Sequence, residues 1–222
     1  MRTLTKELRD KITPIEAIEI LKNGNERFVS NLKVNRNLLQ QVNETSDGQH
    51  PFAVILSCID SRTSAELIFD QGLGDVFSVR IAGNIQNADI LGSIEFSCKV
   101  AGAKVVVVLG HTKCGAVKGA CDQVKMGNLT TLLEKLKPSL DGETSVTSER
   151  NSNNSEFVEK VASLNVRITG KQILKNSSIL KEMIENDQIA LVCGMYDVET
   201  GIVDFYDDEI VTSNTIRAAA LA

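Results

Sequence analysis

No apolar stretch in the 222-residue chain is long enough to span a bilayer, and the charges spaced through residues 1–10 leave no apolar core of signal-peptide length. The cytoplasm is therefore the expected location. Positive charge is not in excess: the formal net charge of -5 argues against a general phosphate-binding surface, so neither nucleic acid nor membrane is an expected partner. No C-x-x-C pair occurs, which speaks against a redox protein. The five cysteines, Cys58, Cys98, Cys114, Cys121 and Cys193, are odd in number and form no compact disulfide pattern, as suits a reducing compartment. No repeat of solenoid or propeller period is present. Nothing forces a division of the chain, and residues 1–222 read as one domain with an ordinary content of 42% hydrophobic and 24% charged residues.

What the chain does have is two short loops around which the rest is organised. Cys58-Ile59-Asp60-Ser61-Arg62 follows the apolar run 52–57, and His111-Thr112-Lys113-Cys114 follows the run 104–110. Continuous β-branched runs predict strands buried on both faces, hence an α/β fold with a mostly parallel sheet flanked by helices. In such sheets chemistry sits where loops leave the carboxyl ends of strands, so both loops open on one edge. If 58–62 leaves its strand extended, the period of two puts Cys58, Asp60 and Arg62 on one side. The step from His111 to Cys114 suits a tight turn into a helix whose amino end favours a Cys114 thiolate.

Cys58, His111 and Cys114 are accordingly the candidate metal ligands. Two thiolates and one imidazole suit zinc with an open fourth position, the mark of a catalytic rather than a structural site. Cys121 lies too far along the helix to share the ion, roughly 10 Å at 1.5 Å per residue. Singly, each cysteine is as readily a packed apolar residue and the histidine a side chain satisfied by its turn. Jointly, at two strand ends, they point to a metal. Asp60 and Arg62 are the candidate catalytic pair: beyond holding the turn, arginine grips the carboxylate bidentately, keeping it ionised and oriented to accept a hydrogen bond from water on the metal.

These residues resemble a family, the β-class carbonic anhydrases. The C-x-D-x-R loop at 58–62, the R-x-A-G-N stretch at 80–84 and the G-H-T-x-C-G turn at 110–115 match its pattern in order and approximate spacing, and the likeness runs from 21–28 through 69–72 to 165–167 and 196–201. The resemblance implies reversible hydration of carbon dioxide to bicarbonate and a proton by zinc-bound hydroxide, with one zinc per subunit. It further implies a homodimer or homotetramer and a Gly115 backbone N–H offered to substrate; the amino-terminal helical arm (1–31), which in the family commonly reaches across a partner, is on its sequence alone as readily a helix packed on its own subunit. In some members the matching aspartate swings onto zinc and closes the site. Because two thiolates donate more charge than imidazoles, activity should favour alkaline pH. Two other readings keep the metal: a same-fold hydrolase of carbon disulfide or carbonyl sulfide, and a zinc-stabilised binding protein without turnover.

Local signals place the remaining elements. Thr13-Pro14-Ile15-Glu16 is a capping box with proline at the first helical position, opening a helix to about Ser30; a short helix precedes it within 4–12. A short helix is expected near 38–42, and His50 reads as a surface or structural histidine. Ser64 caps a helix ended by Gly72 and Gly74, a strand follows at 76–81, and Asn87 or Asp89 opens a helix to about Ala101 with Cys98 in the core. Helices at 116–124 and 128–136 lead to a polar, exposed loop at 141–155. A long helix over 157–174, a helix capped by Ser177 or Ser178, and an edge hairpin from strands 189–195 and 202–206 complete the chain.

Overall fold

The computed structural model of the chain describes residues 3–220. Its five strands, β1 (Ala53–Ser57), β2 (Val76–Arg80), β3 (Val105–His111), β4 (Ala190–Tyr196) and β5 (Val203–Phe205), form one sheet in the order β2-β1-β3-β4-β5. Pairing is parallel except between β4 and β5, which make the expected antiparallel edge hairpin. The central strands are buried on both faces. Ala53, Ile55, Val105, Val107, Leu109, Ala190 and Val192 pack on one side, whereas Val54, Leu56, Val106, Val108, Leu191 and Cys193 pack on the other. That two-sided burial is why these strands read as unbroken apolar runs rather than as alternations. The connection leaving β1 goes to one neighbour and β3 lies on its other side, so the carboxyl ends of β1 and β3 flank a switch point, the usual place for a site in an open α/β sheet.

Helices cover the sheet: α1 (Lys6–Lys11), α2 (Pro14–Val29), α3 (Leu38–Glu44), α4 (Ala65–Ile68), α5 (Ala88–Glu95), α6 (Gly115–Cys121), α7 (Gly127–Glu134), α8 (Lys137–Gly142), α9 (Ser155–Asn176), α10 (Ser178–Glu185) and α11 (Ser213–Ala220). The Thr13 box forms in full: its hydroxyl accepts from the Glu16 N–H and the Glu16 carboxylate accepts from the Thr13 N–H. On the buried face of α2, Ile18 and Leu21 enter the core, and the Asn25 amide donates to the carbonyls of Ile68 and Gly201 and accepts from the Val203 N–H. This one side chain joins α2 to α4 and to the β5 edge.

Several elements differ from the sequence-based expectations. The helix after Ser64 stops at Ile68, and Ser64 makes no side-chain cap; Asp70, at φ 45°, turns the chain before the glycines are reached. Asp70 tolerates that left-handed backbone because its carboxylate is held by Arg27, Arg36 and the Val34 N–H. The helix from Asn87 does not stay α to Ala101: it widens into a π-helical turn at Phe96–Val100, with Cys98 buried as expected. Pro138 does not end helical structure but sits in the first turn of α8, where a missing N–H costs nothing. The polar segment after α8 has no regular structure, yet Arg150 ties it down by donating to the carbonyls of Leu140, Glu143 and Val146 and lying over the Phe157 ring.

Candidate metal centre

Cys58 follows β1 directly and His111 ends β3; the two strands pair in parallel with Ser57 beside Leu109, so both side chains emerge at one edge of the sheet. Lys113, at φ 57°, then folds the chain back, and Cys114 becomes the N-cap of α6. The ligand atoms of Cys58, His111 and Cys114 lie within 4.8 Å of one another, and all three residues are buried. That spacing is close to the span of two metal–sulfur bonds of about 2.3 Å each.

Each donor is prepared for a cation by its surroundings. His111 Nδ1 lies 2.9 Å from the Thr112 carbonyl, which makes Nδ1 the protonated nitrogen and leaves the Nε2 lone pair facing the two sulfurs. Nε2 is buried and makes no hydrogen bond among the described residues, an orphan that a metal would satisfy. The Cys58 sulfur accepts from the Gly83 N–H at 3.4 Å. The neighbouring Cys114 thiol, foremost, holds Cys58 well below the ordinary thiol range, while the facing Cys58 sulfur and burial push Cys114 up. The residues therefore fit zinc.

Asp60 stands beside this cluster, its Oδ2 3.9 Å from His111 Nε2. The carboxylate is gripped by Arg62 through both Nε (2.9 Å) and Nη2 (2.8 Å) and accepts the Arg62 backbone N–H at 3.0 Å. The Arg62 guanidinium holds the Asp60 carboxyl far below the usual carboxylate range. The loop is not extended throughout, however. A turn closes at 60–63, with the Thr63 N–H donating to the Asp60 carbonyl, so Arg62 reaches Asp60 because the chain folds back and not through a period of two. Gly115 is the first residue of α6, and a Cβ there would meet nothing within 4 Å, so space is open above its backbone.

Cys121 is buried among Val117, Phe157 and Val158 and lies outside the ligand cluster, its thiol pushed up to about 11 by burial. Three supporting residues escape a reading of the sequence. Arg80 donates to the carbonyls of Cys58 (3.0 Å) and Asp60 (2.6 Å), clamping the first loop from the neighbouring strand. Asn165 and Ser139, both buried, stand behind the turn that carries Gly83. Arg80 lies within the R-x-A-G-N stretch, a signal that it matters but not of what it touches. Asn165 likewise opens the 165–167 stretch that carries part of the resemblance, again without a sign of its contacts, and nothing in the sequence points to Ser139.

Comparison with known proteins places this geometry in a family. The carbonic anhydrase family profile matches residues 53–203. Carbonic anhydrase 2 of Mycobacterium tuberculosis is 37% identical over 201 residues, which is 85% of this chain and 90% of that protein. Among solved structures, the β-carbonic anhydrase CafA of Aspergillus fumigatus is 30% identical with a TM-score of 0.66, covering 76% of this chain and 81% of its own. One of the tetrameric β-carbonic anhydrases of Sordaria macrospora is 28% identical with a TM-score of 0.64, over 73% and 83% respectively. With the profile spanning the whole sheet up to β5 and the mycobacterial relative aligned over most of its length, this chain belongs to the β-class carbonic anhydrases.

Proposed function

We propose that Cys58, His111 and Cys114 hold one zinc ion per subunit and that Asp60 and Arg62 serve the reversible hydration of carbon dioxide to bicarbonate and a proton. The observation that carries this reading is the buried trio of donors with a carboxylate beside it that is already engaged by Arg62. When bound, zinc supplies nucleophile near neutral pH by lowering the pKa of water from 15.7 to about 7. Asp60, ionised in the arginine fork, accepts a hydrogen bond from that nucleophile and turns it toward the substrate carbon. Arg62 engages both oxygens of Asp60, which leaves Cys58, His111 and Cys114 as the three donors that would hold the ion. The Gly115 N–H is assigned to a substrate oxygen, a role supported by its place at the start of α6, where a Cβ would meet nothing within 4 Å. Burial of the trio keeps bulk water from competing.

Assembly as a homodimer or homotetramer is part of the same proposal, supported by the tetramers named for the Sordaria relatives. A cytoplasmic location is supported by the five unpaired cysteines, and no helix among the described residues is long and apolar enough to cross a membrane.

Stopped-flow hydration of carbon dioxide with quantified zinc, on the native protein and Asp60→Ala from mildly acidic to alkaline pH, tests the reading. Fast, metal-dependent hydration that the substitution impairs is the expected result. Stoichiometric zinc without hydration at any pH would refute it and direct attention to carbon disulfide and carbonyl sulfide.

A further inference from the structure

The two sulfurs of the centre differ in their hydrogen bonds. Cys114 is the N-cap of α6, and its sulfur makes no capping hydrogen bond. Cys58 caps no helix. Its partner is the N–H of Gly83, 25 positions on, in the 3-10 turn Ala82–Asn84 after β2. This turn has two successive left-handed residues, Gly83 at φ 70° and Asn84 at φ 42°. Asparagine enters this region more readily than other non-glycine residues, and its surroundings here keep the turn in place.

The surroundings do so through a buried chain of hydrogen bonds. The Gly83 carbonyl accepts from Asn165 Nδ2 at 2.8 Å, and Asn165 Oδ1 accepts from the Ser139 hydroxyl at 3.2 Å. Asn165 is 2% exposed and Ser139 0%, so the amide has one orientation that satisfies it: nitrogen toward the carbonyl and oxygen toward the hydroxyl. On the other side of the turn, Ala116 and Leu136 stand so close that a Cβ on Gly83 would meet them at 3.3 to 3.4 Å. With the carbonyl anchored from α9 and the Cα confined by Ala116 of α6 and by Leu136, the N-cap of α8, the Gly83 N–H stays directed at the Cys58 sulfur.

We propose that Asn165, backed by Ser139, is a positioning residue for the metal centre, fixing the Gly83 backbone so that its N–H meets the Cys58 sulfur and tempers how strongly that thiolate donates to the ion. The inference rests on the metal-centre reading above. A thiolate that accepts an N–H bond has part of its charge held by that bond and donates less to a metal; removal of such outer partners changes metal affinity by about 10–100-fold. Were Asn165 there only to dock α9 on the turn, its loss would lower stability without altering the sulfur.

The test compares the native protein with Asn165→Asp and Ser139→Ala. Ionised aspartate has the size of asparagine but no N–H to give the Gly83 carbonyl. Three readouts are taken: the thiolate-to-metal charge-transfer band of the cobalt(II)-substituted protein, zinc affinity by competition with a chromophoric chelator, and the thermal midpoint of the metal-free forms. Asn165→Asp should shift the band and change zinc affinity by about tenfold, and Ser139→Ala should move both the same way by less. If Asn165→Asp fails to fold, Ser139→Ala carries the test. An unmoved band and affinity in the folded variants, whatever their thermal midpoints, overturns the proposal and leaves Asn165 a packing role. A native protein that takes up no metal overturns this inference and the metal-centre reading together. Metal uptake that depends on Asn165 in a protein that hydrates no carbon dioxide overturns the proposed reaction alone.

Discussion

The Arg62 side chain is 47% exposed, yet its guanidinium makes two bonds to one carboxylate. Exposed ion pairs contribute only about 0–1 kcal/mol to stability, so what this pair supplies is the direction of Asp60 and not cohesion. A lysine at 62 would keep the charge and lose the fork. Arg62→Lys is therefore expected to lower kcat/KM for carbon dioxide hydration by about tenfold, the equivalent of one lost charge-assisted hydrogen bond, while the calorimetric midpoint stays put. A native rate in stopped flow would show that Asp60 needs no fork. Cys121 offers the complementary control, because its sulfur is buried near the centre without belonging to it. Cys121→Ala should cost about 1 kcal/mol for the small cavity, with zinc per chain unchanged by elemental analysis; lost zinc would mean that the ligand set is wrong.

At the scale of elements, the clearest local signal is also the most testable. The Thr13–Glu16 box satisfies the amino-terminal N–H groups of α2, whose other face is committed to the core. Thr13→Ala should destabilise the fold by about 1 kcal/mol in urea titration without touching hydration; an unchanged midpoint would mean that packing of Ile18 and Leu21 alone sets the helix start. Helices announced by a cap and an apolar stripe, such as α2, α5 and α10, were legible in this way. The ends of α4 and α5 were not. Asp70 stops α4 because two arginines and an amide from elsewhere hold it, and the π-helical turn is a departure from the α period that an apolar spacing does not resolve. α8 was hidden because proline reads equally as the stop of one helix and the first turn of the next.

Across the whole molecule, Asp70 is the most heavily committed buried charge. At 3% exposure it accepts from Arg27 at 2.6 Å, from Arg36 at 2.5 Å and from the Val34 N–H, binding the end of α2 and the segment after it to the end of α4. Burial works to raise its carboxyl, but the two guanidiniums and the amide outweigh it, and the carboxyl lies below its ordinary value. A group with a depressed folded pKa binds protons more readily when the chain unfolds. Its stabilisation is thus complete above the unfolded value of about 3.9 and is lost as pH falls through the folded value. Urea midpoints should hold from pH 6 to about 4.5 and then drop. Asp70→Asn should flatten that acid limb while costing about 3 kcal/mol at neutral pH, since it leaves Arg36 buried without its counter-charge. An acid limb of native steepness in the variant would place the sensitivity in other carboxylates.

Some of this protein was determined by its sequence alone. Unbroken apolar runs specify strands covered on both faces, the cap at Thr13 starts α2, and placing Cys58, His111 and Cys114 just after two such runs commits them to one edge of a parallel sheet. These are signals of period and neighbourhood, carried within a few residues of chain. Tertiary structure decided the rest: that Arg80 clamps the carbonyls of Cys58 and Asp60, that the Gly83 N–H meets the Cys58 sulfur, and that Asn165 and Ser139 hold Gly83 from behind. Those partners are separated by 20 to 82 positions, and whether they meet depends on sheet register and on how α8 and α9 dock, neither of which any local pattern encodes.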